Sequence, residues 1–277
     1  MKGHCPYCAL QCGIQLEGPA GGPVLTGDVE FPVNEGALCI KGWTAASLLT
    51  HPDRLTMPLA RDRKGVLRPV GWEEALARVA DAVEEAQARY GADAVGVLGS
   101  GALTNEKAYL LGKFARVALG SASIDYNGRF CMSSAAAAAS RAFGLDRGLP
   151  FPLADIPRAE VILLVGGNPA ETMPPLMRYF QAQRDAGGML IVADPRLTAT
   201  ALVATRHLAL APGSDGALAM GLLHVLVRDG LVDLGYVRER TEGFEAVRAA
   251  CAAFWPERVE RLTGVSEASL VETARAL

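Results

Sequence analysis

The sequence predicts a doubly wound α/β protein preceded by a small cysteine-rich segment, and three observations carry that reading. Short apolar runs alternate with helical patterns through most of the 277 residues. Four of the six cysteines fall within the first 39 residues. The composition, 50% hydrophobic and 21% charged, gives the chain enough apolar surface to bury a core. At about 150 residues per domain, the length favours more than one domain.

Residues 1–54 are rich in Gly, Pro and Cys, and the alternation at 13–17 suits a small strand, so a compact metal-stapled domain is expected there. A linker follows at 52–69. Leu76, Val79, Ala80, Val83 and Tyr90 recur at helical spacing between charged residues, which predicts an amphipathic helix over 72–90. The runs at 94–98, 161–165 and 189–193 are apolar throughout and bounded by turn residues. A parallel strand covered on both faces needs no polar alternation, so each is expected to be one. Helices predicted over 105–119, 133–143, 172–186 and 214–229 complete a βαβ order, and the alanine run at 135–139 suits close helix packing. Beyond 233 the chain turns helical. Its last helix starts at a Ser266 cap and still runs at Leu277, so the sequence is expected to be a piece cut short at its C-terminus. The expected domains are 1–54, 55–120 and 121–277.

Charge and hydropathy exclude some partners. With 27 basic and 30 acidic side chains the net charge is -3, which offers no basic field for nucleic acid or an anionic membrane. The most apolar stretch, 216–227, is too short for a bilayer span and contains His224. The start, Met1-Lys2-Gly3-His4-Cys5, has no apolar export segment and no paired arginines, so a cytoplasmic location is expected, with neither membrane nor nucleic acid as partner. In a reducing compartment, clustered cysteines are ligands more often than disulfides.

Cys5-x2-Cys8-x3-Cys12 followed by Cys39 supplies four thiolates from one segment. Three close cysteines plus a distant fourth suit the corners of a [4Fe-4S] cube. Structural zinc more often pairs two C-x2-C knuckles, and four buried structural cysteines are the plainest alternative. The turn Gly166-Gly167-Asn168-Pro169 joins an expected strand to a helix, where backbone N–H groups can meet phosphate. Asp194 ends the next strand, with Arg196 and Thr198 behind it, and Gly213-Ser214-Asp215 opens another helix. An acidic side chain there can accept from a ribose or nucleobase, and an arginine or hydroxyl can contact phosphate, although each also reads as a cap or turn former. Cys131 taken alone reads as a small core residue. Its place just before a predicted helix, with Arg129 near, would favour thiolate. Gly99-Ser100-Gly101 and Thr104-Asn105-Glu106 fit a tight turn and a helix cap equally well. Cys251, His4, His51, His207 and His224 have no partner at ligand spacing.

Taken together, Cys5-Pro6-Tyr7-Cys8-Ala9-Leu10-Gln11-Cys12, Cys39-Ile40-Lys41-Gly42, Arg129-Phe130-Cys131-Met132-Ser133-Ser134, Gly166-Gly167-Asn168-Pro169-Ala170-Glu171-Thr172, Asp194-Pro195-Arg196-Leu197-Thr198 and Pro212-Gly213-Ser214-Asp215 resemble the motifs of the molybdopterin oxidoreductases, in order. The resemblance implies a [4Fe-4S] cluster on Cys5, Cys8, Cys12 and Cys39, and molybdenum bis(molybdopterin guanine dinucleotide) with Cys131 as the protein's ligand to the metal. It places Lys41 between the two redox centres and gives it, with Cys131, a catalytic role. The pterin nucleotides would be contacted by Gly167, Asn168, Glu171, Thr172, Asp194, Arg196, Thr198, Gly213 and Asp215. Within the family the chain is most similar to assimilatory nitrate reductases, which implies nitrate as substrate, reduced by two electrons and two protons to nitrite and water. Electrons would enter at the cluster from a ferredoxin, a flavodoxin or an NAD(P)H-linked reductase subunit. Formate dehydrogenases of the family typically carry histidine where this chain has Met132. The alternatives are a formate dehydrogenase or other molybdenum oxidoreductase, and a cluster-bearing electron-transfer subunit without molybdenum, like the related large subunit of respiratory complex I. Cys131 speaks against the last.

Overall fold

The computed structural model describes residues 1–18, 23–145 and 151–277. In chain order its elements begin with β1 (Lys2–His4), β2 (Gly13–Glu17), β3 (Val24–Gly27) and α1 (Ile40–Trp43). There follow β4 (Leu59–Arg61), β5 (Leu67–Pro69), α2 (Trp72–Tyr90), β6 (Val97–Gly99), α3 (Asn105–Lys113), β7 (Ile124–Tyr126), α4 (Gly128–Cys131) and α5 (Ser133–Phe143). The rest are β8 (Val161–Val165), α6 (Pro169–Thr172), α7 (Met177–Asp185), β9 (Met189–Ala193), α8 (Ala199–Leu202), β10 (Arg206–Leu208), α9 (Asp215–Arg228), α10 (Leu234–Arg240), α11 (Phe244–Cys251), α12 (Pro256–Thr263) and α13 (Glu267–Ala276).

Contacts divide the chain into two units, each discontinuous in sequence. The first comprises Met1–Gln15, Thr26–Trp43 and Phe151–Leu277; the second comprises Leu16–Leu25 and Thr44–Pro150. The first unit therefore unites the cysteine-rich segment with the C-terminal half of the chain.

The centre of the first unit is a parallel sheet in the order β10-β9-β8, with Val161 opposite Met189 and Arg206 opposite Ile191. In β9, Leu190 to Ala193 are fully buried. Ile191 and Ala193 pack on one side with Leu208, with Leu218, Leu222 and Val225 of α9, and with Val259 and Leu270. Leu190 and Val192 pack on the other with Ile156, Phe180 of α7 and Ala201 of α8. Helices cover both faces, which is why this strand is apolar without alternation, and the doubly wound expectation holds here. Gly221 lets α9 approach α12 and α13: a Cβ at that position would lie 2.6 Å from Val259 Cγ2 and 3.2 Å from Leu270 Cδ2.

Several expected elements appear with their predicted bounds, including α2, α5, β8 and β9. Ser266 caps α13 by accepting from Ser269 N. The expected helix over 172–186 is interrupted: α6 is followed by a 3₁₀ turn at Pro174–Leu176 and then by α7, because Pro174 and Pro175 have no N–H to donate into a continuous helix. The expected strand at 94–98 moves to β6, since Ala94 belongs to the 3₁₀ turn Ala92–Ala94. The helix over 105–119 is α3 continued by a π turn at Phe114–Ala118. β10 was not anticipated; Arg206 and His207 break the apolar run that marks its neighbours.

In the second unit β4 and β5 form an antiparallel pair, and β6 and β7 a parallel one. No residue of α2 is buried among the described residues, and Trp72, Leu76, Val79 and Tyr90 are exposed. The amphipathic stripe read from the sequence is there and mostly exposed, with Val83 half-buried. Among the described residues no helix is long and apolar enough to cross a membrane.

Two outcomes follow from this packing. Gly221→Val should overpack the α9 contact with α12 and cost about 1–3 kcal/mol, seen as a lower urea midpoint. At the end of α9, Asp229 accepts from Arg228 Nε at 2.7 Å and pairs with Arg275 Nη2 of α13 at 2.9 Å. Arg228 first and Arg275 second hold its carboxyl below the usual carboxylate range. A depressed folded-state pKa stabilises the fold above the unfolded value of about 3.9, and that contribution disappears as pH falls through the folded value. Asp229→Asn should therefore melt below wild type at pH 7, with the gap closing as the pH is lowered through about 4 and beyond.

Candidate functional site

The cysteine segment is built on the β1–β2 hairpin. Pairing of His4 with Gly13 brings the flanking Cys5 and Cys12 together, and Cys5 N donates to Cys12 O at 2.8 Å. Cys8 lies in the loop between them; its carbonyl accepts from Gln11 N at 3.0 Å, with Gln11 in the left-handed region at φ 46°. Cys39 stands immediately before α1, and its carbonyl accepts from Trp43 N. None of the four is in a disulfide; Cys5 and Cys12 are buried, Cys8 and Cys39 half-buried.

The four sulfurs share one electrostatic neighbourhood. Burial pushes the Cys12 thiol up to about 11, and the neighbouring Cys8, Cys5 and Cys39 add to the rise. Burial also raises Cys5, reinforced by Cys8 and Cys39 and opposed by a backbone N–H of Tyr7 and by Lys41. Among the described residues, no group of three His, Cys, Asp or Glu side chains is placed to hold a metal ion. Metal is ligated by thiolate rather than thiol, so filling such a site releases protons. Four soft sulfur donors fit an iron-sulfur cluster by their chemistry.

Lys41, on α1, donates from Nζ to Thr172 O at 2.9 Å at the end of α6. Two residues to which the sequence gave no role tie the same segments together. From α7, Arg178 Nη2 donates to Pro32 O at 3.1 Å and to Glu35 Oε1 at 3.0 Å, while the Tyr179 hydroxyl donates to Pro32 O and Val33 O. The guanidinium lies 4.7 Å from the Tyr179 ring centre. Their partners are mostly backbone carbonyls distant in sequence, so no local pattern would have marked them.

The three loops expected to hold nucleotides all leave the carboxyl edge of the β10-β9-β8 sheet. Gly167 and Asn168 follow β8, Asp194, Arg196 and Thr198 follow β9, and Gly213 and Asp215 follow β10 and start α9. Asn168 Oδ1 accepts from Thr200 Oγ1 at 2.8 Å, and Thr172 Oγ1 donates to Asn168 O. Thr200 is fully buried, accepts in turn from Ala170 N, and so stitches the first loop to the second. Asp194 is buried, with Oδ1 accepting from Arg196 N at 2.8 Å and its carbonyl bonded to His207 Nε2 at 2.8 Å. Thr198 caps α8 by accepting from Ala201 N. Asn168, Thr172, Asp194 and Thr198 thus shape the edge, while Glu171, Arg196, Gly213 and Asp215 are exposed along it. Gly213 has φ 80°, open to glycine at little cost, and exposes backbone just before α9. An exposed arginine, exposed acceptors and free-standing backbone suit a phosphate-bearing, nucleobase-bearing group. Thr200 and His207 escaped sequence reading because a threonine inside a helix and a lone histidine carry no motif.

Cys131 belongs to the second unit, at the end of α4 and two residues before α5, and it is exposed. The nearby guanidinium expected to favour its thiolate is committed elsewhere: Arg129 Nε donates to Asp125 Oδ2 at 2.7 Å.

Comparison with known proteins gives two family matches. Residues 1–51 match the molybdopterin oxidoreductase Fe4S4 domain and residues 54–249 match the molybdopterin oxidoreductase family. The chain is 44% identical over 251 residues to the assimilatory nitrate reductase catalytic subunit of Bacillus subtilis, covering 88% of this chain and 35% of the relative. It is 34% identical to the F420-dependent formate dehydrogenase 1 subunit alpha of Methanococcus maripaludis, covering 98% of this chain and 40% of that one. Among solved structures, acetylene hydratase from Pelobacter acetylenicus superposes with a TM-score of 0.87 at 23% identity, covering 99% of this chain and 38% of that chain. The chain thus spans well under half the length of the relatives it matches.

Thr200→Val removes the hydroxyl that joins Ala170 N to Asn168 Oδ1, so the half-buried Ala170 N loses its acceptor and Asn168 Oδ1 keeps only the Thr200 backbone N at 3.4 Å. It should cost about 1–3 kcal/mol in urea unfolding, and Thr200→Ser should recover most of the loss.

Proposed function

This chain belongs to the molybdopterin oxidoreductase family, and we propose that the polypeptide it comes from reduces nitrate to nitrite at a molybdenum centre fed by a [4Fe-4S] cluster. The observation that carries the nitrate reading is the 44% identity to a nitrate reductase catalytic subunit over 88% of the chain. Met132, beside Cys131, supports it: formate oxidation has use for a histidine there to take up the substrate's proton, whereas nitrate carries no carbon-bound proton.

In this reading Cys5, Cys8, Cys12 and Cys39 ligate the cluster, and Lys41 keeps a positive charge beside it, which favours the reduced, more negative state. Cys131, two residues before α5, offers its sulfur to molybdenum. Gly167, Asn168, Glu171, Thr172, Asp194, Arg196, Thr198, Gly213 and Asp215 line the edge that takes the guanine dinucleotides: Arg196 meets phosphate, and Asp194 and Asp215 accept from ribose or base. When bound, the molybdenum bis(molybdopterin guanine dinucleotide) supplies the oxygen-atom transfer that side chains lack. Residues 1–54 form the cluster domain, 55–120 a first α/β segment and 121–277 the nucleotide-binding part, with the rest of a longer subunit completing the site. A ferredoxin, a flavodoxin or an NAD(P)H-linked reductase subunit delivers electrons in the cytoplasm, with no membrane or nucleic acid involved.

Formate oxidation is the second reading, supported by 34% identity that extends over 98% of the chain. The full-length polypeptide, assayed anaerobically, separates them: nitrate turnover with reduced viologen is expected, and formate turnover alone would transfer the assignment. Cys131→Ser should lower nitrate turnover at least about 100-fold, ~2.7 kcal/mol of barrier, without changing iron content. Wild type made in a pterin-competent host but lacking molybdenum would point instead to an electron-transfer subunit.

A further inference from the structure

We propose that Asn34 is a positioning residue for the cluster, its buried carboxamide setting the spacing between the loop that carries Cys5, Cys8 and Cys12 and the segment that carries Cys39. This rests on the cysteine reading above and extends it to a residue that ligates nothing. Asn34 is 0% exposed. Its Oδ1 accepts from Gly13 N at 2.7 Å, and its Nδ2 donates to Gly13 O at 3.2 Å and to Ala37 O at 3.0 Å. Gly13 adjoins Cys12, and Ala37 stands two residues before Cys39. One amide therefore bonds to both stretches of backbone on which the ligands sit. Among side chains, only a carboxamide offers an acceptor and two N–H donors in this fork.

The loop around Asn34 is held firmly enough for that amide to act as a spacer. Asn34 O accepts from Ala37 N at 2.7 Å, Gly36 N donates to Asp28 O, and Asp28 N donates to the same Gly13 carbonyl that Asn34 engages. Glu35 is left-handed at φ 44°, an uncommon conformation for a residue with a side chain, and its carboxylate is held by Arg178. Tyr179 grips the two carbonyls just before Asn34. The carboxamide is thus fixed from the α7 side while it fixes the two cysteine-bearing stretches. Residues that orient ligands tune both the retention and the potential of a metal centre.

The test uses the full-length polypeptide, prepared anaerobically as wild type, Asn34→Ala, Asn34→Asp and Gln183→Ala. Asn34→Asp keeps an acceptor for Gly13 N and loses both donors. Gln183 is the control: equally buried, its amide donates to the carbonyls of Ala159, Glu160 and Met189, none beside a cluster cysteine. Asn34→Ala should release iron to a chelator about 10–100-fold faster than wild type, with shifted midpoint potential and altered g-values of the reduced cluster. Asn34→Asp should fall between, and Gln183→Ala should match wild type in all three. Wild-type release, potential and g-values in Asn34→Ala would overturn the proposal, as would equal changes in Gln183→Ala. Failure of both Asn34 variants to accumulate while Gln183→Ala does would also overturn it, by making Asn34 a folding residue. Absence of a cubane signal in wild type would be a different failure, of the cysteine reading itself.

Discussion

The cysteine-rich segment has almost no interior of its own, and hydrogen bonds hold it to itself and to the α/β layer. Apart from Cys5 and Cys12, the cysteine-rich stretch buries few apolar side chains, among them Leu10 and Ile14. So little apolar area cannot offset the entropy of ordering the chain. The segment relies instead on hydrogen bonds to its own backbone through Asn34 and on docking through Arg178, Tyr179 and Lys41 to the α/β layer. Burial raises the Cys5 and Cys12 thiols of this segment.

The α/β layer supplies the rigidity. β9 is closed off on both faces, and β8 and β10 flank it in parallel, so three loops leave the sheet in the same direction at one edge. In open parallel sheets such an edge is where ligands bind. Here the loops are cross-linked, by Thr200 between the first and second and by His207 on the Asp194 carbonyl. Lys41 ends on the first of them, at Thr172. Lys41 therefore joins the cysteine segment to this edge of the sheet within a single unit.

Much of this was legible in the residues. The apolar runs of β8 and β9 announce strands because both faces are covered, and the spacing of Leu76, Val79 and Val83 announces α2. The four early cysteines, in their spacing, point to a cluster before any coordinate is known. What stayed hidden depends on partners far away in sequence. Asn34 sits in a loop, where asparagine ordinarily marks a turn, and its role becomes visible only when Gly13 and Ala37 are seen on either side. Thr200 and Tyr179 bond across similar distances. The break at Pro174 could have been read from the two prolines, but the helical periodicity on either side concealed it.

In the reading proposed above, Cys5, Cys8, Cys12 and Cys39 hold a redox-active cube rather than a single structural ion. Low-temperature EPR of the dithionite-reduced, full-length wild type, paired with metal analysis of the same sample, tests it most directly. A reduced-cubane signal is expected, with roughly four irons per chain for that cluster. A protein grown with ample iron and sulfide that instead held zinc and gave no cubane signal would contradict it.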